Sequence, residues 1–204
     1  MIYDTIDDLR SQLGSSKTPE KVRRYAAKML HAVPVVPEIN REEFILSRCK
    51  GKNVLEFGAS GKMSEAVQQV SSDYLGVDRT AADRGVVAFD LDDISMSDVP
   101  GRSDVDVVLC GEVLEHLTNP GWFLERLRHK CRSASFLFTV PNAFSSAGAR
   151  HLLRGNENVN IDHVCWYSPR TIRTLLERYA FEIREFYYYN GAGPTSEGLI
   201  VVAS

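Results

Sequence analysis

The 204-residue sequence predicts an α/β fold: a seven-stranded, mostly parallel sheet closed by a C-terminal antiparallel hairpin. Three observations carry the prediction. From residue 52 onward, short apolar segments alternate with amphipathic ones, as βαβ units require. An acid stands at or just after the end of four successive apolar segments, at Glu56, Asp78, Asp90 and Glu112, so in a parallel sheet the four are expected to line one cleft. The first of these acids runs directly into the tight turn Gly58-Ala59-Ser60-Gly61, at the sheet edge where open α/β sheets bind nucleotide-like ligands.

The elements follow in chain order. Residues 1–50 read as a helical leader or cap outside the repeating pattern, and 51–204 as the main domain. In the leader, Thr18 caps a helix and Pro19 takes its first position; Val22, Tyr25, Ala26, Met29 and Leu30 share one face, and Pro34 and Pro37 end it. A short segment, 42–49, leads into the first strand. Strands are expected at 52–57, 73–78, 86–90, 105–110, 135–140, 181–189 and 197–203. Those at 105–110 and 135–140 are almost wholly apolar and branched or aromatic, the mark of strands buried on both faces. Helices are expected at 62–71, 120–131 and 169–180. In the last, Ser168 caps, Pro169 opens, and Ile172, Leu175, Leu176 and Tyr179 form one stripe. The segment 190–194 joins the last two strands as a hairpin, and the long connection 142–165 reads as an acceptor-side lid or recognition loop.

Bulk properties narrow the function. A net charge of −3 and a pI near 6.0 give no reason to expect nucleic acid or a membrane as partner. No apolar run approaches the ~20 residues of a membrane span. The acidic N-terminus lacks the pattern of a secretory signal, and four scattered cysteines form no CxxC pair, so a reduced, cytoplasmic setting is expected.

Six segments in order then make a resemblance: Asn53 to Gly58, Tyr74 to Asp78, Phe89 to Asp93, Asp106 to Leu117 with Asn119 and Pro120, Thr139 to Asn142, and His163 to Pro169. Together they resemble the class I S-adenosylmethionine-dependent methyltransferases, most of all the branch of ubiquinone-biosynthesis-type and other small-molecule O-methyltransferases. The resemblance implies a Rossmann-like sheet, S-adenosylmethionine as cofactor, and a small-molecule acceptor. It implies that Glu56 supports the loop and faces the methionine amino group, and that Gly58 and Ala59 let the cofactor approach. Asp78 is expected on the ribose hydroxyls, Asp90 and Leu91 on the adenine, and Cys110 and Gly111 beside the methionine part. The chain departs from the family at Ser60 and Lys62, where glycines are usual.

Transfer to a hydroxyl needs its proton removed. His163 and His116 are the expected bases; the plainer alternative for each is a packing or loop-ordering role. His31, His129 and His151 read as solvated. A metal alternative uses Glu112, Glu115, His116 and His163, oxygen and nitrogen ligands suited to a divalent ion, with 112, 115 and 116 at i, i+3 and i+4 on one face of a helical turn. That set resembles the site of small-RNA 2′-O-methyltransferases, which makes an RNA 3′ end the alternative acceptor. A third alternative is an inactive cofactor-binding scaffold. Arg150 and Arg154 read either as an anion grip or as solvated side chains, and the Tyr187-Tyr188-Tyr189 run as packing.

Overall fold

The computed structural model describes residue 20 and residues 38–80, 85–93, 98–102, 104–191 and 193–204. The chain divides into two compact units, 1–33 and 34–204. The expected helix after Thr18, with its ends at Pro34 and Pro37 and with His31, lies outside the described residues.

In the second unit, seven strands form one sheet in the order β3-β2-β1-β4-β5-β7-β6. They are β1 (Asn53–Phe57), β2 (Asp73–Asp78), β3 (Val86–Ala88), β4 (Val107–Gly111), β5 (Ser135–Pro141), β6 (Ile183–Tyr189) and β7 (Gly198–Ala203). The first five pair in parallel, and β7 inserts antiparallel between β5 and β6. The chain runs outward from β1 through β2 to β3, then crosses to β4 on the other side of β1. The carboxyl ends of β1 and β4 therefore flank the switch point of the sheet.

Five helices are described: α1 (Arg41–Cys49), α2 (Gly61–Val70), α3 (Pro120–Lys130), α4 (Ser146–Leu152) and α5 (Pro169–Arg178). The segment leading into β1 is thus a full helix. Asn40 caps it through the Glu43 amide, and its Ile45 and Cys49 join Val54, Val67, Leu109 and Val202 in the core. α5 carries the expected start, a capping box in which Ser168 and Thr171 bond each other's backbone amides. It stops two residues early because Ala180 turns left-handed, at φ 61°. The connection 142–165 is not structureless: Ser145 caps the short helix α4, which carries Arg150.

Candidate functional site

The glycine turn after β1 is built by backbone angles. Gly58 and Gly61 have φ of 74° and 70°, in the left-handed region, whereas Ser60 is extended at φ −148°. A side chain at 58 would also meet Val113 Cγ2 at 2.7 Å. Ser60 and Lys62 need no glycine conformation, and both are exposed. The odd spacing of this loop therefore keeps glycine at the positions its path requires.

Glu56 lies beneath this turn, buried. Its carboxylate accepts hydrogen bonds from Tyr74 Oη (2.7 Å) on β2 and Ser64 Oγ (2.9 Å) on α2. Burial raises its pKa, and the Tyr74 and Ser64 bonds pull it back. The expectation that four acids line one cleft is corrected here: Glu56 braces the loop from below because two hydroxyls claim its oxygens. Ala59 is buried as well, its amide and that of Gly58 bonded to Val77 O on β2. Cys110 is wholly buried, its thiol pushed far up by desolvation, and so belongs to the core.

The other acids share a cleft of about 690 Å³, lined by Gly58, Asp78, Asp90, Leu91, Glu112 and His116 among others. Asp78 and Asp90 each use one oxygen locally, on the amides of Thr80 and Asp92, and the second oxygen of each has no partner among the described residues. This far wall is closed by Asp92, which accepts from the amide and hydroxyl of Thr118.

A second cavity, of about 450 Å³, opens on the other side of Glu112 and is lined by Arg41, Asn142, His163, Trp166 and Tyr189 among others. Glu112 is common to both. Its backbone is left-handed, φ 57°, an uncommon state for a side-chain-bearing residue. Its Oε1 accepts from Thr139 Oγ1 and from Tyr189 Oη, each at 2.8 Å. Tyr189 is thereby a lining residue as well as a packing one, with its pKa raised by burial and by Glu112.

The expected one-face cluster is also corrected. The positive φ takes Glu112 out of the helical turn, which is a 3₁₀ turn at Leu114–His116. Glu115, His116 and His163 form the group instead, their ligand atoms all within 4.8 Å of one another. The two imidazoles meet edge to face with centroids 4.6 Å apart. His163 reaches this place because the Val164 and Cys165 amides both donate to Glu115 O, at 2.8 and 3.1 Å. Both carboxylate oxygens of Glu115 are buried without a hydrogen-bond partner among the described residues. Burial first, and then Glu112, push its pKa up to about 8. Burial and the His116 charge lower that of His163, so its imidazole is neutral at physiological pH. His129 and His151 are exposed, as expected.

Arg41 is the residue that sequence reasoning missed. It opens α1, donates from Nε to Thr139 Oγ1 at 3.2 Å, and lies over the Tyr189 ring. Its guanidinium sits 3.1 Å from where a side chain at Gly111 would begin. It thus supplies a positive charge at the junction of the two cavities.

A model of the methyltransferase domain family matches residues 23–185. The ubiquinone biosynthesis O-methyltransferase of Rhodopseudomonas palustris (strain TIE-1) is 30% identical over 91 residues, 40% of this chain and 36% of that protein. This chain therefore matches little more than a third of that relative's length. Among solved structures, the small RNA methyltransferase HEN1 superposes with a TM-score of 0.60 at 15% identity, over 85% of this chain and 26% of that one. A Burkholderia thailandensis 1,6-didemethyltoxoflavin-N1-methyltransferase, with S-adenosylhomocysteine bound, gives 0.59 at 15% identity, over 79% and 75%. At these identities the structural likeness shows the fold.

Proposed function

The chain belongs to the methyltransferase domain family, as a class I S-adenosylmethionine-dependent methyltransferase, and on that premise we propose that it methylates a hydroxyl of a small-molecule acceptor, with His163 as the base. The observation that carries this reading is the meeting of two cavities at Glu112, with His116 lining one and His163 the other. The larger cleft fits the cofactor. The space above Gly58 is kept open by the absent side chain, and Asp78 and Asp90 each offer a free oxygen, for ribose hydroxyls and adenine amine respectively. The cofactor supplies an already activated methyl group, so the protein's task is alignment and proton removal. Arg41 pairs with the methionine carboxylate beside Gly111.

His163 takes the acceptor's proton. Its lowered pKa keeps the accepting lone pair free at neutral pH, and the bond of its own segment to Glu115 O holds the ring at the cavity wall. An acceptor screen that detects S-adenosylhomocysteine release, run on wild type and His163→Ala, tests this. A loss of about 10²–10⁴-fold in kcat is expected; an undiminished rate would remove His163 from the reaction.

One observation favours a second reading. The unpartnered Glu115 carboxylate beside two imidazoles offers three ligands for a divalent ion, and such an ion would satisfy the buried oxygens. Glu115, His116 and His163 would then hold it, and it would lower the pKa of a bound hydroxyl. Metal analysis of protein purified without chelator, with activity measured before and after EDTA, separates the two. Activity that survives EDTA leaves His163 as base; activity restored only by a divalent ion favours the metal.

A further inference from the structure

We propose that the cavity beside Glu112 is a carbohydrate site, built to hold a neutral sugar as acceptor. The inference deepens the hydroxyl-transfer reading above and rests on it for the reaction that follows binding. The cavity's volume, about 450 Å³, lies within the range of about 300–1,000 Å³ of small-molecule sites. Such sites are mostly apolar, with a few polar groups. This one has four asparagines in its wall: Asn142, Asn158, Asn160 and Asn190. Asn142 is spent on structure, since its Nδ2 donates to Pro194 O and Ser196 O and its Oδ1 accepts from the Phe144 amide. Asn160 accepts from the Asp162 amide, and its Nδ2 has no partner among the described residues. The side chains of Asn158, Asn190 and Glu197 also have none there. These groups come from two sides. Asn158 and Asn160 belong to the connection after β5, whereas the Glu197 amide donates to Asn190 O and closes the β6–β7 hairpin. One exposed asparagine needs no explanation. Donors and acceptors that converge on one cavity from two elements do.

The rest of the wall selects the ligand. Trp166 lines the same cavity and is 45% exposed, so its ring is open to a flat apolar partner. A pyranose has that shape. Its C–H groups on one face suit an indole, and the hydroxyls around its edge suit planar amides and a carboxylate. A phenol's perimeter is mostly C–H and leaves those amides to water. Charge opposes an anionic acceptor. Glu112 and Glu197 line the cavity against Arg41, and the reading above assigns Arg41 to the methionine carboxylate. A phosphate or an RNA end would meet two carboxylates. In the transfer, the sugar oxygen bonds the methyl carbon as the carbon–sulfur bond breaks. The electron pair of that bond stays on sulfur, giving S-adenosylhomocysteine, and the hydroxyl proton passes to a ring nitrogen of His163. A sugar hydroxyl is far less acidic than a phenol, so its need for that base is greater.

Calorimetry on protein saturated with S-adenosylhomocysteine tests the site. The probes are methyl glucoside, methyl mannoside, the 6-phosphates of glucose and mannose, and catechol. At least one neutral glycoside is expected to bind, and its 6-phosphate counterpart at least about tenfold more weakly. Trp166→Ala and Glu197→Ala should each lose about tenfold on that glycoside. Affinity for S-adenosylhomocysteine should be unchanged in both variants, which controls for folding. A wild type that binds neither glycoside, or binds the phosphates more tightly, would overturn the proposal. So would variants that bind the glycoside as wild type does. Turnover with S-adenosylmethionine separates the site from the reading it rests on. A glycoside that binds without S-adenosylhomocysteine release upholds the site and counts against hydroxyl transfer. Catechol methylated while no glycoside binds upholds hydroxyl transfer and removes the site.

Discussion

Glycine at position 58 is required twice, by its left-handed φ and by the 2.7 Å approach of Val113. Gly58→Ala should therefore cost about 2–3 kcal/mol of stability and weaken cofactor binding. Gly61→Ala meets nothing within 4 Å and should cost only the backbone strain, about 1 kcal/mol; thermal melts in the presence and absence of S-adenosylhomocysteine read both. Glu115 makes a pH prediction for metal-free protein. Its folded pKa, about 8, lies above its ordinary 4.5, so the folded state holds the extra proton between those values. Its contribution is thus lost as pH rises through that window and is level above it, an effect on the order of 5 kcal/mol. Glu115→Gln should flatten that slope in urea unfolding measured with EDTA at several pH values; an unchanged slope would contradict the burial argument. The acids at 78, 90 and 112 were legible in the sequence because strand ends in a parallel sheet share one edge, whereas the two histidines were placed by the family resemblance. Arg41 was not, because a charged residue at a helix start looks like any solvated one. Only the fold brings it to Thr139, 98 positions away.

At the scale of elements, the 3₁₀ turn and the segment after Asn160 act as one unit. Glu115 O accepts two amides from that segment, Tyr167 Oη donates to Leu114 O, and Cys165 lies against Leu117 O. Tyr167→Phe should therefore loosen the hold on His163, lowering kcat by about fivefold to tenfold, for a net hydrogen bond of about 1 kcal/mol, while leaving S-adenosylhomocysteine affinity unchanged; a matched loss of cofactor affinity would show a wider structural role. Strand positions were readable to within two residues, since buried parallel strands are continuous apolar runs. The helix at 41–49 was seen only as a short lead-in, because its fully buried face is just Ile45 and Cys49 and four of its nine residues are charged. The turn at Glu112 was misread as helical, since a positive φ on a glutamate leaves no pattern in the sequence.

Across the whole molecule, the switch point between β1 and β4 puts the two cavities, proposed above for cofactor and acceptor, on either side of one carboxylate. The sheet order follows from the alternation of elements, and so does the place of the cleft. What surrounds the acceptor depends instead on the long connection after β5, whose polar and small residues carry no periodic signal. The account rests on Asp78 and Arg41 gripping opposite ends of the cofactor, and calorimetry with two ligands tests that most directly. Wild type should bind S-adenosylhomocysteine, and Asp78→Ala should weaken it at least about tenfold. Arg41→Met should weaken it by about 10–100-fold yet leave binding of 5′-methylthioadenosine, which lacks the carboxylate, unchanged. Unchanged S-adenosylhomocysteine affinity in both variants, or no binding by wild type, would contradict the account.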